Sequence, residues 1–399
     1  MRLLGKHISA LVESDLIELV SSGVVESQVV EYKLSLPGSN DIEKRAFLSD
    51  VTAMANTAGG IILYGIATRR DDADRDTGVP AAVPGLADLN FDKERLRLEA
   101  ILRSAVSPPI TSQAHVQDIR LASGSSVVAI GIARSYLAPH RVTFGGINRF
   151  HRRSQGGNYE PEVPELRRMF LEQREWMSDA TGLAASRVGV IAETVWTTDG
   201  VHPVLAVHLL PLGRLDQVLD LRGKVEEVGS VFPPLRHSGY SWEYNADGIR
   251  IFTPGTDCSV FSYTQLMRNG GVEFASLGFG EPQRPGNQFQ RVFGDTVLVQ
   301  LRKRIPESLV SLRAKLAVEP PYSVHITIAK LCDARLAVEI DRFQSAAAHP
   351  ISPKTLCLPP FVVDDPESFD HEALNRALDV LWQSAGHPGV PRPPSSQSV

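Results

Sequence analysis

The chain has 399 residues, of which 43% are hydrophobic and 22% charged, a composition that excludes fibres and wholly disordered chains and suits two packed cores. Its formal net charge of -5 offers phosphate no global attraction, so any nucleic-acid contact needs cations gathered locally. The three cysteines, Cys258, Cys332 and Cys357, are too few and too scattered for a disulfide framework or a cysteine zinc site, and read as buried free thiols. The N-terminal residues lack the continuous apolar stretch of a signal peptide, and no apolar run is long enough to span a bilayer, so a cytoplasmic protein without membrane contact is expected.

In chain order, Val12, Leu16, Leu19 and Val20 recur at helical spacing and predict a short amphipathic lead-in helix over 11–20. Residues 29–36 alternate as a strand, with Val30, Tyr32, Leu34 and Leu36 on one face and Glu31, Lys33 and Ser35 on the other. Asn40 followed by Glu43 resembles a capping box, and Ile42, Phe47, Leu48, Val51 and Met54 carry a helix to Gly59-Gly60. The apolar run 61–66 reads as a buried central strand. Residues 67–90 are polar and broken, which predicts a loop. A helix follows over 91–105, then a hairpin of 115–121 with 127–133, a strand over 148–153, and a helix from Pro164 to about Trp176.

The small, polar stretch Ser178 to Ser186 is the expected domain boundary, giving domains at 1–180 and 187–386. Strands are expected at 201–212, 248–253, 260–263, 272–277, 323–329 and 354–358, with helices over 287–304 and 371–385. Residues 387–399, rich in Pro and Ser, are expected to be a disordered tail. The fold class is therefore α+β: an N-terminal mixed sheet covered by helices, then a second domain mixing α and β.

Between Asp118 and Glu160 there is no acid, whereas Arg120, Arg134, Arg141, Arg149, Arg152 and Arg153 are present with His140 and His151. Strand alternation places Arg149, His151 and Arg153 on one face, a stripe suited to a row of phosphates, because guanidinium forks match phosphate oxygens. The alternative is a solvated charged edge strand. Glu26, Glu31 and Lys33 supply two carboxylates and an ammonium able to hold a divalent metal beside a phosphodiester, and equally an ordinary polar strand face. The turn 55–60 holds Asn56 and two glycines, which suit close approach to a ligand or simply end a helix. No Gly-Lys-Ser or Gly-Lys-Thr phosphate loop is present, so ATP binding of that type is not supported. In the second half, His202, His208, His237 and His325 are scattered over different elements, and Tyr240 to Gly248 combines aromatic residues with a turn, either a partner surface or a hairpin.

Glu26-Ser27 leading to Glu31-Tyr32-Lys33, the run from Ala53 to Gly60 into Ile61–Ile66, and Arg149 to Arg153 before Gly156-Gly157 resemble the Schlafen AlbA-type domain of bacterial DNA-binding proteins and animal Schlafen proteins. Pro139-His140 and the closing Glu165-Leu166-Arg167 resemble the bacterial branch, and the likeness covers about residues 13–177. It implies binding of a DNA or RNA phosphate backbone through Lys33, Asn56, His140, Arg141, Arg149, His151 and Arg153, in a regulator or defence component. Its nuclease members imply an alternative, a ribonuclease requiring Mg or Mn, with Glu26 and Glu31 as metal ligands and Asp71 or Asp72 as the third acid. Ala67-Thr68 stand where those nucleases carry acids, which places binding ahead of cleavage. A scaffold for protein contacts is the remaining reading, and homo-oligomerisation is left open.

Overall fold

The structure is a computed structural model that describes residues 2–4, 6–110, 114–194, 196, 201–212, 218–255, 259–283, 289–338 and 349–392. Its contacts divide the chain into Met1–Arg174 and Glu175–Val399. The division falls inside the helix Val163–Glu193, which continues through Ser178 to Ser186, the stretch expected to separate the domains. Small and polar as they are, these residues include no proline, and Ala180, Ala184 and Ala185 are strong helix formers.

In the first unit, four strands lie in the order Val30–Lys33, Gly60–Tyr64, Ser126–Ile132, Ala114–Arg120. The first two are parallel and the other neighbours antiparallel. A parallel pair needs a crossover, and the helix Asp41–Ala55 supplies it. The Asn40 side chain caps that helix by accepting from the Glu43 amide at 2.9 Å. Every residue of Gly60–Tyr64 is buried because both faces of the sheet are covered. Ile62 and Tyr64 pack with Phe47, Leu48, Val51, Leu98 and Leu102, whereas Ile61 and Leu63 pack with Ile8, Leu16 and Leu19 of the lead-in segment. Gly59 joins helix to strand at φ +75, where a Cβ would stand 2.6 Å from the Ile132 carbonyl oxygen, so glycine is required on both counts.

Two expectations in this unit are corrected. Residues 67–82 are a hairpin, Ala67–Arg70 with Asp76–Ala82, whose turn is closed by the Asp71 carboxylate accepting from the amides of Ala73 and Arg75, each at 2.9 Å. Local side-chain bonds thus build a structure that polarity alone does not signal. The strand expected over 148–153 breaks at His151: Arg149–Phe150 pairs with Arg141–Val142, while Arg152–Ser154 pairs with Gly157–Tyr159.

The second unit is built on a larger antiparallel sheet in the order Ser241–Tyr244, Gly248–Pro254, Val260–Met267, Val272–Ser276, Val204–Pro211, Tyr322–Ala329, Leu356–Cys357, with Phe361–Val363 also pairing with Tyr322–Ala329. One face carries its main core, including Leu205, Val207, Ile249, Ile251, Phe274 and Ile326, against the helices Val225–Val231, Gly294–Leu316 and His371–Ser384. The helix expected from 287 begins at Gly294, after the short strand Gln290–Phe293, and residues 284–288 lie outside the described residues. Cys332 and Cys357 are exposed rather than buried, and Cys258 lies outside the described residues. Of the expected tail, residues 387–392 are described and tied down at two points: Val390 is buried, and Arg392 reaches Glu372 at 2.9 Å and Asp379 at 2.8 Å. Residues 393–399 lie outside the described residues. Among the described residues no helix is long and apolar enough to cross a membrane.

Candidate functional site

The parallel strand Val30–Lys33 sets Glu31 and Lys33 on one face, and Lys33 Nζ stands 2.5 Å from Glu31 Oε1 and 3.8 Å from Asp50 Oδ2. The Arg153 guanidinium donates to the other Glu31 oxygen. It also donates through Nε to the Ser27 carbonyl at 3.1 Å, and through a terminal nitrogen to Asn158 Oδ1 at 3.2 Å. Asn158 in turn donates to Asp50 Oδ1 at 2.6 Å, which closes a ring of bonds between strand, helix and hairpin. Glu26 accepts the Tyr32 amide at 2.9 Å, and its own amide donates to the Gly78 carbonyl. Glu26, Glu31, Asp50, Asp76 and Arg153 line one pocket of about 350 Å³, with Ser27, Gly78 and residues 155–158 completing its wall.

The pocket strains its acids unequally. Burial raises the Glu26 carboxyl above the ordinary glutamate range, against the Tyr32 amide that lowers it. Burial likewise raises Asp50, more than Lys33 lowers it. At Asp76 burial pushes upward too, but the Gly78 amide and the Thr68 hydroxyl outweigh it and hold the carboxyl below its ordinary range. Burial also works against the Lys33 ammonium, and Asp50 and Glu31 more than compensate, so its pKa is raised.

Glu26, Glu31, Lys33 and Arg153 therefore belong to one site, and the expected stripe of Arg149, His151 and Arg153 does not form. Arg153 is 5% exposed and turned inward to Glu31, whereas Arg149 is exposed and paired with Glu160. The acid-free window is neutralised in space by acids from elsewhere: Arg134 meets Glu172 at 2.8 Å, Arg152 meets Glu165 at 2.7 Å, and Arg153 meets Glu31, while Arg120 stands 3.4 Å from Asp118 at the window's own edge. Arg141, half-buried, has no carboxylate partner among the described residues. Burial lowers the pKa of both His140 and His151, which disfavours their charged forms; His140 is fully buried, with Nδ1 bonded to the Pro108 carbonyl. Asn56 is internal glue rather than a ligand group: its amide donates to the carbonyls of His140 and His151 at 2.9 and 3.0 Å and accepts the His140 amide at 2.7 Å. The Asp71 carboxylate is spent on its own turn and on Arg75.

Asp76 and Asp50, rather than Asp71, supply the further acids, and sequence reasoning missed both. Asp50 carried a signal, as the one acid in the otherwise apolar and small stretch from Phe47 to Ala55. Asp76 carried none, because its place depends on the hairpin. The arrangement does not fit a ready-made divalent-metal site: both Glu31 oxygens already accept from cations, and among the described residues no three acid, histidine or cysteine groups stand at metal-holding spacing. The scattered histidines of the second unit likewise assemble no such cluster among the described residues.

Comparison with known proteins places the Schlafen AlbA_2 family on residues 26–162. A solution structure of the N-terminal domain of an ATP-dependent DNA helicase RecG-related protein from Nitrosomonas europaea is similar over 38% of this chain and 89% of that one, at 21% identity and a TM-score of 0.27. No curated protein matches the chain.

Proposed function

We propose that the Schlafen AlbA_2 domain carried at residues 26–162 is a nucleic-acid-binding module that meets a phosphate backbone through Lys33, Arg141 and Arg149, with Arg153 as the internal tie of the site. The observation that supports the reading is the set of cations left accessible beside the pocket: Lys33 and Arg149 keep much of their side chains in solvent, and Arg141 has no carboxylate partner among the described residues. The cations divide by availability. Arg149 and Glu160 are both more than half exposed, and such a pair is worth so little that a phosphate displaces the carboxylate readily. Lys33 keeps 40% of its side chain in solvent, whereas Arg153 keeps 4%. Contact with phosphates by these groups positions the polymer without reading its sequence.

Salt titration of duplex DNA and single-stranded RNA binding by the full chain tests this. Affinity is expected to fall steeply with salt, and Arg141→Ala and Arg149→Ala each to reduce the log-log slope by about 0.9 on duplex. A wild-type chain with no salt-dependent affinity would end the proposal and leave a protein-interaction scaffold.

A second reading, phosphodiester cleavage, is favoured by one observation, the four carboxylates lining the pocket. Since Glu31 is held by two cations and the acids are not set for a metal, no hydrolytic step follows from the geometry. Incubation of tRNA with Mg or Mn decides it, with equal cleavage by wild type and Glu31→Ala excluding this pocket as a nuclease centre.

A further inference from the structure

The segment 240–244 of the second unit has no part in the reading above. Ser241–Tyr244 ends the large sheet, and among the described residues its strand neighbour is Gly248–Pro254 on one side alone. All four of its residues are exposed. The hairpin fixes which backbone groups are free. Asn245 and Gly248 exchange both amide bonds, at 3.0 and 3.2 Å, so antiparallel alternation turns the backbone groups of Glu243 and Ser241 toward the neighbouring strand and those of Trp242 and Tyr244 outward. The residues with outward-facing amides and carbonyls are also the aromatic ones. Trp242 and Tyr244 are 53% and 50% exposed and meet edge to face at 6.0 Å, and Tyr240, two residues earlier, is 42% exposed. The strand lacks the lysine, proline or bulge that commonly blunts a free edge, and its one charge, Glu243, lies 3.5 Å from Arg250.

We propose that a second copy of this chain occupies this edge, the two strands pairing antiparallel about a two-fold axis through Trp242. Outward-facing residues must meet outward-facing residues, which leaves two central registers. In one, Glu243 would stand opposite Glu243 of the second copy, a like-charge pair that disfavours it. In the other, Trp242 stands opposite Trp242, Tyr240 opposite Tyr244, and Glu243 opposite the Ser241 hydroxyl. This second register satisfies the free amides and carbonyls and lines the rings of both copies on one face. The surface is self-complementary in backbone phase, and this register keeps the two Glu243 carboxylates from standing opposite each other, as an isologous interface requires. With about half of each ring exposed, each contributes on the order of 100 Å², so the six rings of the paired strands bury roughly 600 Å², the size of a weak, reversible contact rather than an obligate one.

Sedimentation velocity of the full chain across a wide concentration range is expected to show the mass rising from monomer toward dimer. Trp242→Lys, a change at an exposed site, is expected to hold the chain monomeric with an unaltered circular dichroism spectrum. With Cys258, Cys332 and Cys357 replaced by serine, Trp242→Cys is expected to form a disulfide-linked dimer on oxidation, because residues exchanging both bonds have Cα atoms about 5.5 Å apart, within disulfide reach. Glu243→Cys, opposite Ser241, is expected not to cross-link. A monomer at every concentration overturns the proposal, and so does cross-linking through Cys at 243 as efficient as at 242. A chain that stays monomeric while single-stranded RNA quenches its fluorescence in wild type but not in Trp242→Lys also overturns it, in favour of a base-stacking platform.

Discussion

Replacing Arg153 by methionine keeps most of the stem volume and removes the guanidinium that ties the pocket together. Glu31, 8% exposed, then loses one of its two cations, while Ser27 and Asn158 each lose a donor. Breaking a buried ion pair from one side costs about 3–5 kcal/mol; because Lys33 remains 2.5 Å from Glu31, the lower end, about 3 kcal/mol, is the appropriate figure. For a unit the size of Met1–Arg174, that corresponds to a fall of roughly 6–12 °C in its melting temperature. Thermal unfolding of the full chain, with the transition of this unit followed separately, measures the loss. Salt titration of nucleic-acid binding, at a temperature where the variant is folded, is expected to give the wild-type slope. An unchanged melting temperature together with a slope reduced by about one phosphate contact would show Arg153 to be a surface ligand, and the internal role assigned to it would be wrong.

Two further expectations concern pH. The Asp50 pKa is raised in the folded state, so this group's contribution to stability is fully present below the unfolded aspartate range and is lost as pH rises through the folded value. Asp50→Asn, which can still accept from Asn158, is therefore expected to raise the unfolding midpoint at neutral pH and change nothing in strong acid; a loss of stability at neutral pH would contradict this. Glu273 behaves oppositely: burial raises it, but Arg187 and His208 outweigh burial and hold it at about 2. Its contribution is present above the ordinary glutamate range and lost as pH falls toward 2, so Glu273→Gln is expected to flatten the acid limb of second-unit unfolding and lower stability at neutral pH, where Arg187 loses a buried counter-charge.

The regular elements were legible where local pattern and packing agree. Asn40 and Glu43 announce the helix start, and the apolar run after Gly59-Gly60 announces a strand covered on both faces. What escaped depends on partners distant in sequence. The window from Asp118 to Glu160 is free of acid along the chain, yet Glu31, Glu165 and Glu172 neutralise three of its arginines in space. Alternation from Arg149 to Arg153 failed because the strand breaks at His151 and its halves join different neighbours. Asp76 was invisible because a turn closed by Asp71 carries it to the pocket, so the acid that the spacing suggested builds the hairpin and a later one lines the site.

An ion network kept only for stability tends to balance its charges, since each buried excess charge is costly. This pocket does not balance. Glu26, Glu31, Asp50 and Asp76 face Lys33 and Arg153, and burial first, with the neighbouring Glu31 adding to it, raises the pKa values of Glu26 and Asp50. Strained acids in a cleft mark a functional site better than a structural one, because stability would improve if they were neutral. The same excess repels a phosphodiester. A backbone held by Lys33, Arg141 and Arg149 would therefore pass the pocket mouth more easily once cations screen its acids. Divalent cations are then expected to strengthen binding by the wild-type domain more than binding by Asp50→Asn, the reverse of their ordinary competition with protein cations for phosphate.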